Sequence, residues 1–228
     1  MRTFLVPRAD YEIIDNWYVS GLKASGSKDV VVNDAFVPEH RLHKFSDGFR
    51  QDSPGNAVNT SPNYRYPFGQ IHVRSVSTPA VGAAFGALDE YVDAMKSKVS
   101  QATGGKATDS FTNNVVAAEA AAVLDREVLT LRRNFTELMD YIKSGEKIPL
   151  DRRIRFRNDS ARAVDVSKQV VDSLFTSFGA RAAFSDSALN RHFQDIHTIR
   201  LHHANGPDKP AENFGGFMFG KKNTDFFI

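Results

Sequence analysis

The sequence predicts a mainly α-helical protein of the α+β class, in which a partial β-domain is followed by a C-terminal antiparallel four-helix bundle. Three observations lead to this prediction. Residues 1–45 contain short apolar runs of β type, and residues 46–68 are rich in Ser, Asn, Pro and Gly. From about Ile71 onward, apolar residues recur at steps of three and four, as in amphipathic helices. We therefore expect two parts, residues 1–70 and residues 71–228.

The first part contains three predicted strands, which are Thr3–Pro7, Tyr11–Trp17 and Asp29–Pro38. The stretch from Trp17 to Arg41 has the pattern of a β-hairpin. A Gly/Ser-rich turn leads into three consecutive valines, and a second turn at Asn33–Asp34 leads into a strand that ends at Pro38. Residues 46–68 are predicted to form a long loop.

The second part contains four predicted helices, which are Pro79–Val99, Phe111–Ser144, Asp151–Phe178 and Ser185–His203. The first of them is rich in Ala and Gly, so other helices can approach it closely. Gly145 and Gly179 are placed to end the second and third helices, and Ser185 or Asp186 is a candidate N-cap of the fourth. Several Phe residues after position 213 form an aromatic tail, which we expect to cover a neighbouring surface.

Composition excludes several classes of function. The chain has 29 basic and 27 acidic residues and a net charge of +2, so its overall charge does not favour binding to nucleic acid or to a membrane surface. The absence of Cys excludes disulfides, thiolate metal sites and cysteine nucleophiles. No apolar run approaches the roughly 20 residues of a membrane helix. We expect a cytoplasmic protein without a metal site.

Three segments resemble one known protein family. They are GLKASGSKDVVVNDAFVPEHR (21–41), RRIRFRNDSARAV (152–164) and FQDIHTIRLHHAN (193–205). Together they resemble the acyl-CoA dehydrogenase superfamily, and within it the two-component flavin-dependent monooxygenases that hydroxylate phenols and other aromatic compounds. Members of the superfamily have a middle β-domain followed by a helical bundle. The likeness covers the C-terminal part of such an enzyme, so residues 1–70 are expected to be the second half of the β-domain.

The resemblance implies a function and several partners. Enzymes of this branch use reduced FMN or FAD, supplied by a separate flavin reductase, and transfer one oxygen atom from a flavin hydroperoxide to a small aromatic substrate. Relatives are commonly homotetramers that share cofactor sites between chains. If the first half of the β-domain is absent, this chain is expected to lack independent activity.

The resemblance also implies two catalytic residues, His202 and Arg74. His202 lies seven residues after Asp195, which is the spacing that the monooxygenase branch uses for a histidine beside the flavin. Its imidazole can donate or accept a proton near neutral pH, although a histidine at a helix end also complements the helix dipole. Arg74 would stabilise negative charge on reduced flavin or on a phenolate. The alternative for Arg74 is a surface arginine at the start of a helix.

Four further residues are candidates for cofactor binding: Lys98, Arg157, Phe178 and Gly179. Lys98 is near the place where relatives have a basic residue that reaches a flavin phosphate of another subunit, and Phe178–Gly179 occupies the place of a turn beside that flavin. Arg157 belongs to an arginine-rich run that suits phosphate oxygens. Simpler alternatives exist. Lys98 could only complement a helix dipole, Arg157 could belong to an ion-paired helix face, and Gly179 could only end a helix.

Two other functions remain open. An acyl-CoA dehydrogenase needs a carboxylate base, which in that family comes from near the start of the first bundle helix or from just after the last one. Neither 70–80 nor 197–207 contains Asp or Glu, which disfavours dehydrogenation. The second alternative is a non-catalytic, oligomerising fragment that needs a partner chain.

Overall fold

The computed structural model describes residues 1–100 and 103–228. The described residues form four short strands and six α-helices: β1 (Arg2–Phe4), β2 (Tyr11–Ile14), β3 (Asp29–Val32), β4 (Leu42–Lys44), α1 (Phe45–Arg50), α2 (Phe68–Ser97), α3 (Phe111–Ser144), α4 (Leu150–Phe178), α5 (Ala188–Arg200) and α6 (Asp208–Met218). The predicted fold class is confirmed, because a small β portion precedes a predominantly helical bundle.

The predicted hairpin is wrong in its pairing. The valine strand β3 pairs antiparallel with β2, with Tyr11 opposite Val32 and Ile14 opposite Asp29, and 35–38 forms no strand. Asp34 adopts φ 46°, which directs the chain away from β3, and Pro38 has no N–H to donate to a ladder. A second two-stranded sheet pairs β1 with β4, so the strands form two separate ribbons.

The predicted loop 46–68 contains short helical elements. The helix α1 covers its first residues, and single 3₁₀ turns follow at Pro54–Ala57 and Pro62–Arg65. In each 3₁₀ turn a proline occupies the first position, where its fixed φ suits a helical start and its missing N–H is not needed. The Pro and Gly content that predicted a loop therefore organises short turns between α1 and α2.

The bundle consists of α2, α3, α4 and α5. The bounds of α3 match the prediction, because the Ser110 hydroxyl accepts a hydrogen bond from the Asn113 N–H at 3.4 Å and Gly145 follows the last turn. The helix α2 is longer than predicted and carries Pro79 in its interior. Its buried stripe of Ala80, Ala84 and Ala87 allows close contact with α4, whose Val164, Val171 and Leu174 share the same core.

The C-terminal region differs from the prediction in two respects. Asp186 does not cap the fourth helix, because Arg181 binds its carboxylate through two hydrogen bonds of 2.6 and 2.7 Å, and α5 begins at Ala188. A sixth helix, α6, was not predicted, and it packs on α4. Part of the aromatic tail folds back on its own chain, since Phe226 stacks on Phe45 at a centroid distance of 6.3 Å.

The β portion is attached to α5 through the turn after Trp17. The Leu22 N–H donates to Asp195 Oδ1 at 2.6 Å, and the Trp17 indole N–H donates to the Leu22 carbonyl at 3.0 Å. A Cβ placed on Gly21 would lie 2.1 Å from the Gln194 carbonyl oxygen, so only glycine fits at this contact. Among the described residues, no helix is both long and apolar enough to cross a membrane.

We expect Gly21→Ala to detach the β portion from α5 or to strain the contact. Overpacking of this kind lowers the free energy of unfolding by about 1–3 kcal/mol. Urea denaturation measures the effect, with Gly82→Ala as the matched control, because a Cβ on Gly82 has no atom within 4 Å. Equal unfolding free energies for Gly21→Ala and the wild-type protein would contradict the described contact.

Candidate functional site

Three histidine rings meet where the start of α2 faces the turn between α5 and α6. The His202 centroid lies 4.5 Å from that of His203 and 6.1 Å from that of His72, which belongs to α2. We call His72, His202 and His203 the histidine cluster. It contains the predicted catalytic residue His202, and its third member, His72, comes from α2.

Asn205 fixes the turn that carries His202. Its side chain is fully buried, and its Nδ2 donates to the Val76 carbonyl on α2 at 3.0 Å and to the Ile199 carbonyl on α5 at 2.8 Å. One amide therefore joins both helices next to the cluster. The hydrogen bond to Val76 lies close to Pro79, which removes one backbone donor from the same part of α2.

The hydrogen bond of His202 determines its tautomer. The Ala204 N–H donates to Nδ1 of His202 at 3.2 Å, so Nδ1 is an acceptor and the proton of the neutral ring lies on Nε2. Burial lowers the pKa of His202, and the neighbouring His203 and His72 lower it further. Near neutral pH the ring is therefore uncharged and offers an Nε2–H donor, which suits an oxyanion such as a phenolate.

Two aromatic rings stack on His72. Phe68 stacks on it at a centroid distance of 5.3 Å with a 16° interplanar angle, and Phe227 stacks on it at 5.4 Å and 22°. Burial lowers the pKa of His72, and His203 and Arg157 add to the shift. The lowered pKa values of His72 and His202 therefore favour neutral imidazoles at these two positions.

Arg157, a predicted cofactor-binding residue, lies beside the cluster but is engaged within the chain. Its Nε is 3.2 Å from Asp225 Oδ2, and its guanidinium carbon lies 5.6 Å from the centroid of the Phe227 ring. Both charged side chains are buried, with 4% and 9% of their surfaces exposed. Burial lowers the pKa of Arg157, while Asp225 opposes that shift.

Arg74, the second predicted catalytic residue, faces a different side of α2. Its guanidinium carbon is 4.6 Å from the centroid of Phe135 on α3 and 5.7 Å from that of Phe156 on α4. Residues two apart on a helix do not share a face, so Arg74 and His72 point in different directions. Burial lowers the pKa of Arg74 to about 10, against the opposing effects of Asp159 and Tyr66.

The remaining predicted cofactor residues, Lys98, Phe178 and Gly179, line one open cleft of about 1160 Å³, which we call the lysine cleft. Lys98 Nζ donates to the Phe178 carbonyl and lies 4.6 Å from the centroid of the Phe178 ring. Gly179 adopts φ 79°, a left-handed conformation that favours glycine. Lys106 and the N-terminal end of α3 also border the cleft.

The histidine cluster and the lysine cleft lie at opposite ends of α2. From His72 to Lys98 the chain advances 26 residues along one helix, which is about 39 Å at 1.5 Å per residue. The structure therefore brings Lys98, Phe178 and Gly179 together and places Arg74 apart from both sites. Arg157 lies beside the histidine cluster through Phe227, whose ring contacts His72 and His203.

Sequence reasoning did not select four residues at this site, namely His72 of the histidine cluster and its neighbours Asn205, Asp225 and Phe227. His72 lies within 70–80, where the absence of a carboxylate had been noted, so its position near the helix start was an available signal. The other three depend on a buried turn and on a folded-back chain end, which no periodicity reveals. Among residues 1–100 and 103–228, no set of three metal-ligating side chains is arranged to hold a metal ion.

The two buried arginines give a direct test of this geometry. We expect Arg74→Met to change the free energy of unfolding by about 1 kcal/mol or less, because removal of a poorly solvated charge offsets the lost cation–π contacts. We expect Arg157→Met to lower it by about 3 kcal/mol or more, because Asp225 is left buried without its partner. Urea denaturation of both variants measures the difference, and the opposite ranking would contradict the assigned pairing.

Comparison with known proteins agrees with this architecture. A family model described as "Acyl-CoA dehydrogenase, C-terminal domain" matches residues 75–207. The chain is 38% identical over 227 residues to the oxygenase subunit HsaA of a flavin-dependent monooxygenase from Rhodococcus jostii (strain RHA1), covering 99% of this chain and 59% of that protein. It is 27% identical over 226 residues to the oxygenase component of p-hydroxyphenylacetate 3-hydroxylase from Acinetobacter baumannii, covering 95% of this chain and 51% of that protein.

A solved structure shows the same fold. The crystal structure of 3-HSA hydroxylase from Rhodococcus sp. RHA1 superposes on the whole chain with a TM-score of 0.93 and 37% identity. This chain covers 58% of that structure, so it spans between about half and three fifths of the length of these relatives. The family model matches more than half of the chain. The chain therefore belongs to the acyl-CoA dehydrogenase family, of which it contains the C-terminal helical domain.

Proposed function

We propose that this chain supplies the C-terminal half of a reduced-flavin-dependent monooxygenase that hydroxylates an aromatic or related small molecule. The observation that carries the proposal is the neutral His202, whose Nε2–H donor is fixed by the hydrogen bond at Nδ1 within a partly apolar cluster. The similarity to oxygenase subunits named as flavin-dependent supports the same conclusion. The reduced FMN or FAD would come from a separate flavin reductase, in keeping with relatives named as oxygenase components.

The residues of this chain fit the proposed chemistry at the histidine cluster. A bound reduced flavin would supply the two electrons that reduce O2, so that one oxygen atom enters the hydroxylated product and the other leaves as water. His202 would donate its Nε2–H to the oxygen of a phenol as negative charge develops there. His72 would form a further wall of the pocket, and the Phe68 and Phe227 rings would limit the access of water.

The lysine cleft fits the phosphate end of a flavin. Lys98 and Lys106 provide positive charge, and the N-terminus of α3 adds the favourable end of a helix dipole. The cleft is open beside Gly179, since a Cβ added there has no atom within 4 Å. Phe178 would contribute an aromatic face for a planar ring.

The separation of the two sites supports a homo-oligomer, with a tetramer as the proposed form. One flavin cannot reach both ends of α2 within a single chain, because they lie about 39 Å apart. Two copies could bring the lysine cleft of one chain to the histidine cluster of another. The outer face of α3 offers an exposed apolar stripe for such contacts, formed by Val115, Ala118, Ala122 and Leu129.

The two alternatives are less well supported. An acyl-CoA dehydrogenase needs a free carboxylate base, whereas Asp225, which lies next to the cluster, is paired with Arg157. Burial is the main cause of the lowered pKa of His72, and the charged groups that add to it, His203 and Arg157, are not carboxylates. A non-catalytic fragment would not need the ordered tautomer of His202. Reduction of bound FAD by an acyl-CoA would favour the first alternative.

The test supplies the chain with reduced FMN or FAD from a flavin reductase, together with oxygen and a phenol, and measures hydroxylated product. We expect His202→Ala to lower turnover about 100-fold or more, because it removes a donor to the developing oxyanion. His40→Ala is the matched control, since His40 is exposed on a separate turn. Turnover should fall as pH drops through the lowered pKa of His202, because protonation of Nδ1 breaks the bond from Ala204.

The same assay is repeated with the N-terminal 40% or so of the Rhodococcus jostii relative added as a separate polypeptide, since this chain covers 59% of that protein. Product formation in either arm, with loss in His202→Ala, supports the proposal. Absence of both product and reduced-flavin binding in both arms would refute it and would favour the non-catalytic alternative.

A further inference from the structure

The last residues of the chain, Asn223–Ile228, run back across the start of α2. A Cβ on Gly69 would lie 2.4 Å from the Phe227 carbonyl oxygen, so the backbone of this end segment touches the backbone of α2. Asn213 of α6 holds its other end, because Asn213 Oδ1 accepts from the Thr224 N–H at 2.8 Å and from the Thr224 hydroxyl at 3.1 Å. We call Asn223–Ile228 the C-terminal strap.

A buried ion pair fixes the middle of the C-terminal strap. Arg157 of α4 approaches Asp225 Oδ2 at 3.2 Å, and Asp225 Oδ1 accepts the Phe227 N–H at 2.9 Å. One carboxylate therefore joins the bundle through one oxygen and orients the Phe227 backbone through the other. Because Arg157 is almost fully buried, its charge strongly favours this arrangement over a released strap.

The Phe227 ring is placed by that arrangement on the histidine cluster. Its centroid lies 5.4 Å from that of His72 and 5.6 Å from that of His203. Phe68 also stacks on His72, so two phenyl rings contact the same imidazole. Phe226, the neighbouring residue, packs on Phe49 at a centroid distance of 5.3 Å and meets the edge of the Phe227 ring at 5.6 Å.

We propose that Asp225 and Phe227 are positioning residues of the histidine cluster: the Arg157–Asp225 ion pair fixes the C-terminal strap so that Phe227 holds the His72 imidazole beside His202. The consequence for turnover rests on the proposed monooxygenase function. The contact between the strap and His72 does not, and it can be measured without flavin or substrate.

The surroundings of His72 give the contact a spectroscopic signature. The charged and titratable groups that face it are His202 and His203 from the turn after α5, Arg157 from α4, and Asp225 from the strap. Burial is the main cause of its lowered pKa. Removal of the Phe227 ring admits water to one face of His72, so the pKa of His72 should rise toward its usual value.

The experiment is an NMR titration of the histidine Cε1–H signals of the full chain, with Phe227→Ala compared with Phe226→Ala. We expect Phe227→Ala to shift the His72 signal and to raise its titration midpoint by about 0.5 pH unit or more. Phe226→Ala removes an aromatic ring of the same strap that has no contact with His72, and it should leave the midpoint unchanged.

A second pair of variants tests the same contact with substitutions in α2 rather than in the strap. Gly69→Ala places a methyl group against the Phe227 carbonyl and should move the His72 midpoint in the same direction as Phe227→Ala. Gly82→Ala, on the same helix, meets no atom within 4 Å and should not move it. Unchanged His72 signals in both Phe227→Ala and Gly69→Ala, or equal shifts in the two controls, would overturn the proposal.

The outcomes for this proposal and for the proposed function are separate. If Phe227→Ala moves the His72 midpoint but the wild-type protein forms no hydroxylated product, the positioning role stands and the monooxygenase assignment fails. If the wild-type protein forms product while His72 is unaffected by Phe227→Ala, the positioning role is the one overturned.

Discussion

The close packing of α2 against α4 is the constraint on which the rest of the structure depends. Small side chains on α2, at Ala80, Ala84 and Ala87, are fully buried and allow the helix backbones to approach. Larger residues of α4, such as Val171 and Leu174, fill the space beside them. Because this contact holds α2 along its length, the two ends of that helix are fixed in space, and each end organises one candidate site.

Near the start of α2, buried polar and charged side chains have partners within the chain. Asn205 donates to carbonyls of two helices, and the Arg157–Asp225 pair satisfies charges that would otherwise be buried alone. Arg74, on another face of α2, lies against aromatic rings instead, and burial lowers its pKa to about 10. Burial and the neighbouring histidines lower the pKa of His72 and of His202, and Arg157 adds to the shift at His72. Both rings therefore favour the uncharged state that the proposed chemistry requires.

The helical bundle could be predicted because its pattern is local. The apolar periodicity of α3 predicted the helix and Gly145 predicted its end, since apolar spacing and helix-ending glycines act within one element. The valine strand was also recognised, but its partner was not. Pairing of β3 with β2 rather than with 35–38 depends on the turn at Asp34 and on the docking of Gly21 against α5, which are tertiary contacts.

The candidate site was predicted only in part, because some of its residues come together through tertiary contacts. The family resemblance selected His202, and Lys98, Phe178 and Gly179 do line one cleft, but their roles there stay predictions. His72 meets His202 because the turn after α5 packs on α2, and Asp225 and Phe227 reach the histidine cluster because the chain end folds back over α2. Arg74 and His72 are two residues apart in sequence, and helix geometry alone separates the face that meets α3 from the face that meets the cluster.

The central claim is that the histidine cluster faces a reduced flavin. The most direct measurement is an anaerobic NMR titration of the histidine signals with reduced FMN or FAD, with the N-terminal polypeptide of the relative present. The account predicts that the signals of His72 and His202 shift in saturable fashion while that of the exposed His40 stays in place. Saturable binding of reduced flavin that leaves His72 and His202 unperturbed would contradict it.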